Sequence, residues 1–288
     1  NGTYSLLGGY SGLPPFYVSA LDGIKAKVGG KIKINYAKGC DLLSDSKEGF
    51  ADAIAAAIER TGMPKGVFSL VQGGSIEVGQ ALVKHPLITA VGFTGSLGGG
   101  RALYDLCCQR PSPIPFFGEL GSINPMFMLP NQLEAQGVSL GEAWAGSLTM
   151  GVGQFCTNPG LAVVLEGPTG DAFVNAAKSA LEAVSPQTML TSDIADAYRS
   201  GQKKIAAVTG IRELLTSTCD LSDAAPYLYE VDGSTWLDNE SLSEEVFGPL
   251  GLVVRANSVE QMLEIAAGLD GQITCTLHMN EQDSELAH

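Results

Sequence analysis

The chain is poor in groups that hold metals. It has three histidines (His85, His278, His288) and six cysteines (Cys40, Cys107, Cys108, Cys156, Cys219, Cys275). No two cysteines form a C-x-x-C pair, so no zinc-ligand spacing can be assembled. Positive charge is scarce too: 17 Lys+Arg stand against 31 Asp+Glu, a net charge of −14. Without a basic run to neutralise successive phosphates, nucleic acid is not an expected partner. Every apolar stretch is broken by Gly, Ser or a charge before about 18 residues, so no membrane-spanning helix is expected. The start lacks a basic, apolar, small-residue leader, although it opens on Asn1 and not Met. Cysteines scattered through an acidic chain of 288 residues read as thiols, not as a disulfide framework, which points to a reducing, cytoplasmic setting. What remains is 45% hydrophobic and 17% charged, a composition able to fold. Its length suggests about two domains.

Glycine is abundant, 36 residues, and sits in short loops between apolar runs without forming a repeat. From about residue 60 apolar strands alternate with helical segments. The expected strands are 66–72, 88–94, 125–130, 161–167, 251–256 and 273–279, and the expected helices are 75–85, 97–108, a long segment ending near Met150, 171–184 and 259–267. That rhythm predicts an α/β protein with βαβ units on a mostly parallel sheet. The first 58 or so residues differ, with a Pro-Pro loop, a short helix over 21–28, the alternating strand KIKINYA and an Ala-rich helix over 51–60. A seam is expected between Glu59 and Pro64.

Four short strings carry possible chemistry. Val91-Gly92-Phe93-Thr94-Gly95-Ser96 ends an apolar run and opens a helix, so backbone N–H groups and the Ser96 hydroxyl can face an anion such as a pyrophosphate. The same junction is also what an ordinary serine N-cap looks like. Phe117-Gly118-Glu119-Leu120-Gly121-Ser122 sets one carboxylate among apolar residues and glycines. Desolvation there raises a carboxyl toward the range of a general base, unless Glu119 is simply an exposed residue at a strand end. Gly153-Gln154-Phe155-Cys156-Thr157-Asn158-Pro159-Gly160 sets a cysteine in a Gly- and Pro-bounded turn. N–H donors around such a thiol favour a thiolate and stabilise an oxyanion, whereas most free cysteines are small buried hydrophobes. Glu244-Glu245-Val246-Phe247-Gly248-Pro249 is either an acidic surface loop or a place where Glu245 accepts from a ribose diol and Phe247 packs on a flat ring.

Taken in order, Phe-Thr-Gly-Ser at 93–96, Glu-Leu-Gly-Ser at 119–122, Phe-Cys-Thr-Asn-Pro at 155–159 and Glu-Val-Phe-Gly-Pro at 245–249 resemble the aldehyde dehydrogenase superfamily. Within it they resemble the branch acting on 2,5-dioxopentanoate (α-ketoglutaric semialdehyde). The resemblance runs from about Gly62 to the C-terminus. It implies an incomplete Rossmann-like dinucleotide-binding part joined to an α/β catalytic domain, with NAD or NADP as cofactor and a small-molecule aldehyde as substrate. Cys156 is then the nucleophile, forming a thiohemiacetal and a thioester, and Glu119 the base that activates water. Gly95, Ser96, Leu120, Glu245 and Phe247 are the implied cofactor contacts. Residues 1 to about 57, LLGGYSGLPP through the Ala-rich helix, resemble instead a piece of the α/β-sandwich domain of family 3 glycoside hydrolases, without that family's nucleophile motif.

The expected organisation is therefore a chimera: 1–60 a glycosidase-like fragment, 61–120 the C-terminal part of a dinucleotide-binding domain, and 121–288 a shortened catalytic domain. The resemblance implies that the superfamily's adenosine contacts and the Asn of its oxyanion hole find no counterpart in residues 1–60, and that its subunit-pairing strands are missing from the shortened C-terminal end. Homo-oligomers are the rule in that superfamily. Losing one oxyanion donor typically costs about 10² to 10³ in rate, so impaired aldehyde oxidation is expected, with a catalytically inert fusion or a β-glucosidase/β-xylosidase fragment as the alternatives.

Overall fold

The computed structural model describes residues 69, 71 and 76–287. The chain divides into two units, Asn1–Leu82 and Val83–His288. The expected seam at Glu59–Pro64 and the expected elements of the first 60 residues lie outside the described residues, as does the strand at 66–72 apart from Ser69 and Val71. Helix α1 (Ile76–Lys84) occupies the helical segment expected over 75–85.

The second unit holds a small parallel pair and a larger mixed sheet. In the pair, β1 (Val91–Thr94) and β2 (Phe116–Glu119) are joined by α2 (Leu97–Cys108), and the register sets Thr94 opposite Glu119. The Ser96 hydroxyl caps α2, accepting from the Gly99 N–H at 3.2 Å. The larger sheet runs in the order β10-β3-β4-β9-β8-β6, built from β3 (Met126–Met128), β4 (Leu161–Leu165), β6 (Arg212–Leu215), β8 (Tyr227–Asp232), β9 (Leu250–Ala256) and β10 (Thr276–His278). All neighbours from β10 to β8 run parallel, and β6 closes the other edge antiparallel to β8. The mostly parallel sheet expected from the sequence is present, with one antiparallel edge added. A two-stranded antiparallel pair, β5 (Gln187–Thr188) with β7 (Asp223–Ala224), lies apart from it.

The central strands β4 and β9 are buried on both faces, which is why LAVVL and LGLVVRA read as continuous apolar runs. Leu161, Val163, Leu252 and Val254 face a core shared with α5 (Ser192–Ala206), α6 (Gly233–Leu237) and α7 (Val259–Ala267). Ala162, Val164 and Val253 face the opposite core, shared with α3 (Pro130–Thr149) and α4 (Pro168–Glu182). α3 and α4 approach closely at Gly141, where a Cβ would overlap the Phe173 carbonyl and come within 3.0 Å of the Ala177 nitrogen.

Arg255 breaks the apolar run of β9 and is nonetheless buried. Its guanidinium reaches Asp171 in the first turn of α4 at 2.6 Å and Glu230 on β8 at 3.6 Å, and Arg212 pairs with the same Glu230. A buried charge persists only when paired in this way. Among the described residues no helix is long and apolar enough to cross a membrane.

Candidate active site

Sheet topology gathers the four strings. The loops 270–275, 119–125, 153–160 and 244–249 lead into β10, β3, β4 and β9, four adjacent parallel strands, and so meet at one end of the sheet. Glu119 is also the last residue of β2, whose carboxyl end lies beside that of β1 and its Thr94-Gly95-Ser96 turn. The Gly95 N–H donates to the Glu119 carbonyl at 3.1 Å. The cleft is thus formed between the carboxyl ends of one parallel pair and the amino ends of another sheet.

The cysteine loop is entered through three consecutive left-handed residues, Gly151 (φ +55°), Val152 (φ +59°) and Gly153 (φ +66°). For a β-branched residue such as Val152 this conformation costs about 1–3 kcal/mol and persists only where packing imposes it. Gly153 abuts the Gly248-Pro249 backbone, so close that a Cβ would lie 2.6 Å from the Pro249 nitrogen. Asn158 donates to the Gly248 carbonyl at 3.0 Å, which ties the third string to the fourth. Gln154 is held at both ends, donating to the Gly151 carbonyl at 3.2 Å and accepting from the Leu190 N–H at 2.9 Å. The Trp144 indole on α3 donates to the Pro159 carbonyl at 2.8 Å.

Two residues outside the expected set complete this frame. Asn124 is buried with φ +47°, a left-handed position that asparagine tolerates. Its Nδ2 donates to the Cys156 carbonyl at 3.0 Å and the Asn158 carbonyl at 2.9 Å. Gln272, almost 150 residues away, accepts from the Ile123 and Asn124 N–H groups at 2.9 and 3.2 Å. An asparagine after a Gly-Ser pair is a faint signal of a turn. Nothing near Gln272 in sequence announces its partners.

Cys156 is exposed, and its side chain meets the Glu119 carboxylate. Partial burial of the sulfur raises the thiol above the usual cysteine range, and the hydrogen bond and negative charge of Glu119 raise it further. The N–H groups of Cys156 and Thr157 face the sulfur and oppose the rise. The expected N–H donors are present, and burial and the Glu119 carboxylate act against them on the sulfur. Glu119 is itself exposed, so the desolvation expected of it is absent: it stands at the open end of a two-stranded sheet.

Glu245 is half-buried, with a carboxylate oxygen 3.0 Å from where a Cβ on Gly121 would stand. Burial pushes its carboxyl up, and the Ser122 N–H holds it back. Phe247 lines a narrow cavity with Glu245, Ser122 and Trp236. Leu120 turns away from solvent and fills the space over Gly100 of α2, where a Cβ would overlap it. It therefore seats the helix against the loop.

The donor set suits a dinucleotide. The Ser96 hydroxyl and carbonyl occupy the Gly99 and Gly100 N–H groups, so the preceding N–H groups of α2 face outward at the positive end of a helix dipole. Gly92, Thr94, Phe117, Gly118 and Glu119 border an open groove beside it.

Residues 31–207 match the aldehyde dehydrogenase family. Alpha-ketoglutaric semialdehyde dehydrogenase 2 of Azospirillum brasilense is 42% identical over 268 residues, covering 90% of this chain and 51% of that protein. The chain thus spans about half the length of this curated relative. A beta-xylosidase of Formosa agariphila is 75% identical over 56 residues, 19% of this chain and 8% of that enzyme, in keeping with the glycosidase-like N-terminal stretch. The family match begins at residue 31, upstream of the motifs that carry the resemblance in sequence. The crystal structure of an NAD-dependent benzaldehyde dehydrogenase from Corynebacterium glutamicum superposes with a TM-score of 0.68 at 22% identity, covering 82% of this chain and 52% of that one.

Proposed function

The chain belongs to the aldehyde dehydrogenase family, and from that membership together with the contact between Cys156 and Glu119 we propose that it carries the site for oxidising a small aldehyde, such as 2,5-dioxopentanoate, to the carboxylic acid. The observation that carries the reading is an exposed thiol meeting a carboxylate at the junction of four loops.

Glu119 accepts the thiol proton as Cys156 attacks the aldehyde carbon, giving a thiohemiacetal on the sulfur. The N–H groups of Cys156 and Thr157, which face the sulfur, would steady the developing oxyanion. NAD or NADP, when bound, supplies the two-electron acceptor. The outward N–H groups of α2 with Gly95 and Ser96 would hold its pyrophosphate, and Glu245 with Phe247 its nicotinamide ribose and ring. Once Glu119 has released that proton to solvent, its carboxylate activates water on the acyl group that results; the acid is released and the sulfur is reprotonated to the thiol.

Acylation by p-nitrophenyl acetate needs no dinucleotide and tests the pair directly. Native chain is expected to give a burst of p-nitrophenol and to be labelled by iodoacetamide at Cys156, with both abolished in Cys156→Ser. Unchanged burst and labelling in that variant would sink the reading. A rise in melting temperature at millimolar NAD or NADP is expected for the cofactor cradle, and its absence supports an inert fusion instead.

A further inference from the structure

The segment from Gln272 to Thr274, which leads into β10, lies beside the loop of the catalytic base, which leads into the neighbouring strand β3. We infer that it is a brace whose side chains fix the 119–124 loop and, through the Asn124 carboxamide, set the position of the Cys156 loop against Glu119. The inference rests on the assignment of Cys156 and Glu119 above and names residues that act through them, touching no reacting atom.

The hydrogen bonds define each amide's orientation. Two backbone N–H groups, of Ile123 and Asn124, converge on Gln272 Oε1 at 2.9 and 3.2 Å, so that atom must be the oxygen. Its Nε2 donates to the Asp270 carbonyl at 3.2 Å, which anchors the side chain. The Ser122 hydroxyl lies 2.8 Å from Gln272 Oε1 and 2.9 Å from Asn124 Oδ1, accepts from the Ile273 N–H at 3.1 Å, and gives its one proton to either oxygen. Asn124 Oδ1 accepts from the Thr274 N–H at 3.3 Å and hydroxyl at 3.0 Å. With Oδ1 so engaged, Nδ2 is turned to the Cys156 and Asn158 carbonyls. A flipped amide would oppose oxygen to two carbonyl oxygens, so the donors of Thr274 select the orientation that grips the cysteine loop.

The three loops so joined are those of the base, of the nucleophile and, through the Ser122 N–H on Glu245, of the implied ribose contact. Among the described residues Glu119 is the charged group acting on the Cys156 sulfur. Loosening the brace therefore has a signature that simple loss of stability lacks: the thiol moves away from Glu119 and ionises more easily.

Two substitutions test this on the full chain, Gln272→Met, which removes the shared acceptor, and Thr274→Val, close to isosteric and lacking only the hydroxyl. The pH midpoint of iodoacetamide alkylation at Cys156 is expected to fall in both, toward that of Glu119→Gln, and to move no further when either is combined with Glu119→Gln. Acylation by p-nitrophenyl acetate is expected to slow by about tenfold or more, within the range that small misplacements produce. If Gln272→Met does not fold, Thr274→Val carries the same test with a smaller effect. A midpoint unchanged in the folded variants, or shifted equally with and without Glu119, overturns the brace. Should Cys156→Ser alkylate and acylate like the native chain, it is the site assignment that fails; if only Cys156→Ser loses both while the brace variants behave as native, the brace alone fails.

Discussion

The start of α3 is capped from 152 residues further along the chain, and removing that cap has a calculable cost. Leu129 at the N-cap offers no side-chain acceptor and Pro130 no N–H. The Asp283 carboxylate, wholly buried, takes their place: one oxygen accepts from the Asn131 N–H at 2.9 Å and its Nδ2 at 2.8 Å, the other from the Gln132 N–H at 2.9 Å and the Asn280 N–H at 3.2 Å. An exposed cap is worth about 1 kcal/mol. Here the acceptor is charged, buried and at the positive end of a helix dipole, so Asp283→Ala is expected to cost about 3 kcal/mol. Burial works against the charged carboxyl, but the N–H groups of Asn131, Asn280 and Gln132 outweigh it and hold its pKa below the usual carboxylate range. A group whose folded pKa is depressed stabilises fully above its unfolded value, about 3.9, and loses that contribution as pH falls through the folded value. Urea midpoints of native and Asp283→Ala chains should therefore differ by a constant amount from pH 7 down to about pH 4 and converge below it. Equal midpoints at pH 7, or a gap that persists undiminished well into the acid range, would refute the argument.

Three further substitutions probe other parts of the frame. Gly153→Ala places a Cβ on a left-handed residue (φ +66°) and 2.6 Å from the Pro249 nitrogen; it should cost more than about 1 kcal/mol in thermal unfolding and abolish the acylation burst, and a normal burst would contradict the packing. Arg255→Leu removes one of the two cations paired with buried Glu230 and should cost about 3 kcal/mol in urea, recovered in large part by adding Glu230→Leu; additive losses would show that the pair is not the cause. Trp144→Phe deletes the indole donor to the Pro159 carbonyl, with an expected loss of about 1 kcal/mol and a slower burst; a burst of unchanged rate would mean that α3 does not steady the cysteine loop.

What the sequence could disclose divides according to how far apart the interacting residues lie. The helices at 97–108 and 259–267 fall where the residue pattern puts them, Leu97–Cys108 and Val259–Ala267, since each has a serine cap and an apolar stripe of its own. The strands β4 and β9 were equally plain as apolar runs buried on both faces. By contrast α5 sets a narrow stripe of Ala195, Tyr198 and Ile205 in an otherwise polar segment of fifteen residues, and β6 (RELL) is a short, partly exposed edge; neither reads as a plain apolar run. The four strings of the site were legible because each combines glycine with one reactive or capping side chain over a few residues. Asn124 and Gln272 were not, because their meaning lies in partners about 30 and 150 residues distant in sequence, and only the adjacency of β10, β3 and β4 brings those together. The same topology adds an influence on the thiol that its own loop does not contain. A cysteine loop read alone shows its own N–H donors, which favour thiolate, whereas the carboxylate that opposes ionisation arrives from the end of β2. The electrostatics of Cys156 are therefore a property of two loops in register, and a change that separates them should alter the chemistry of the sulfur before it alters the fold.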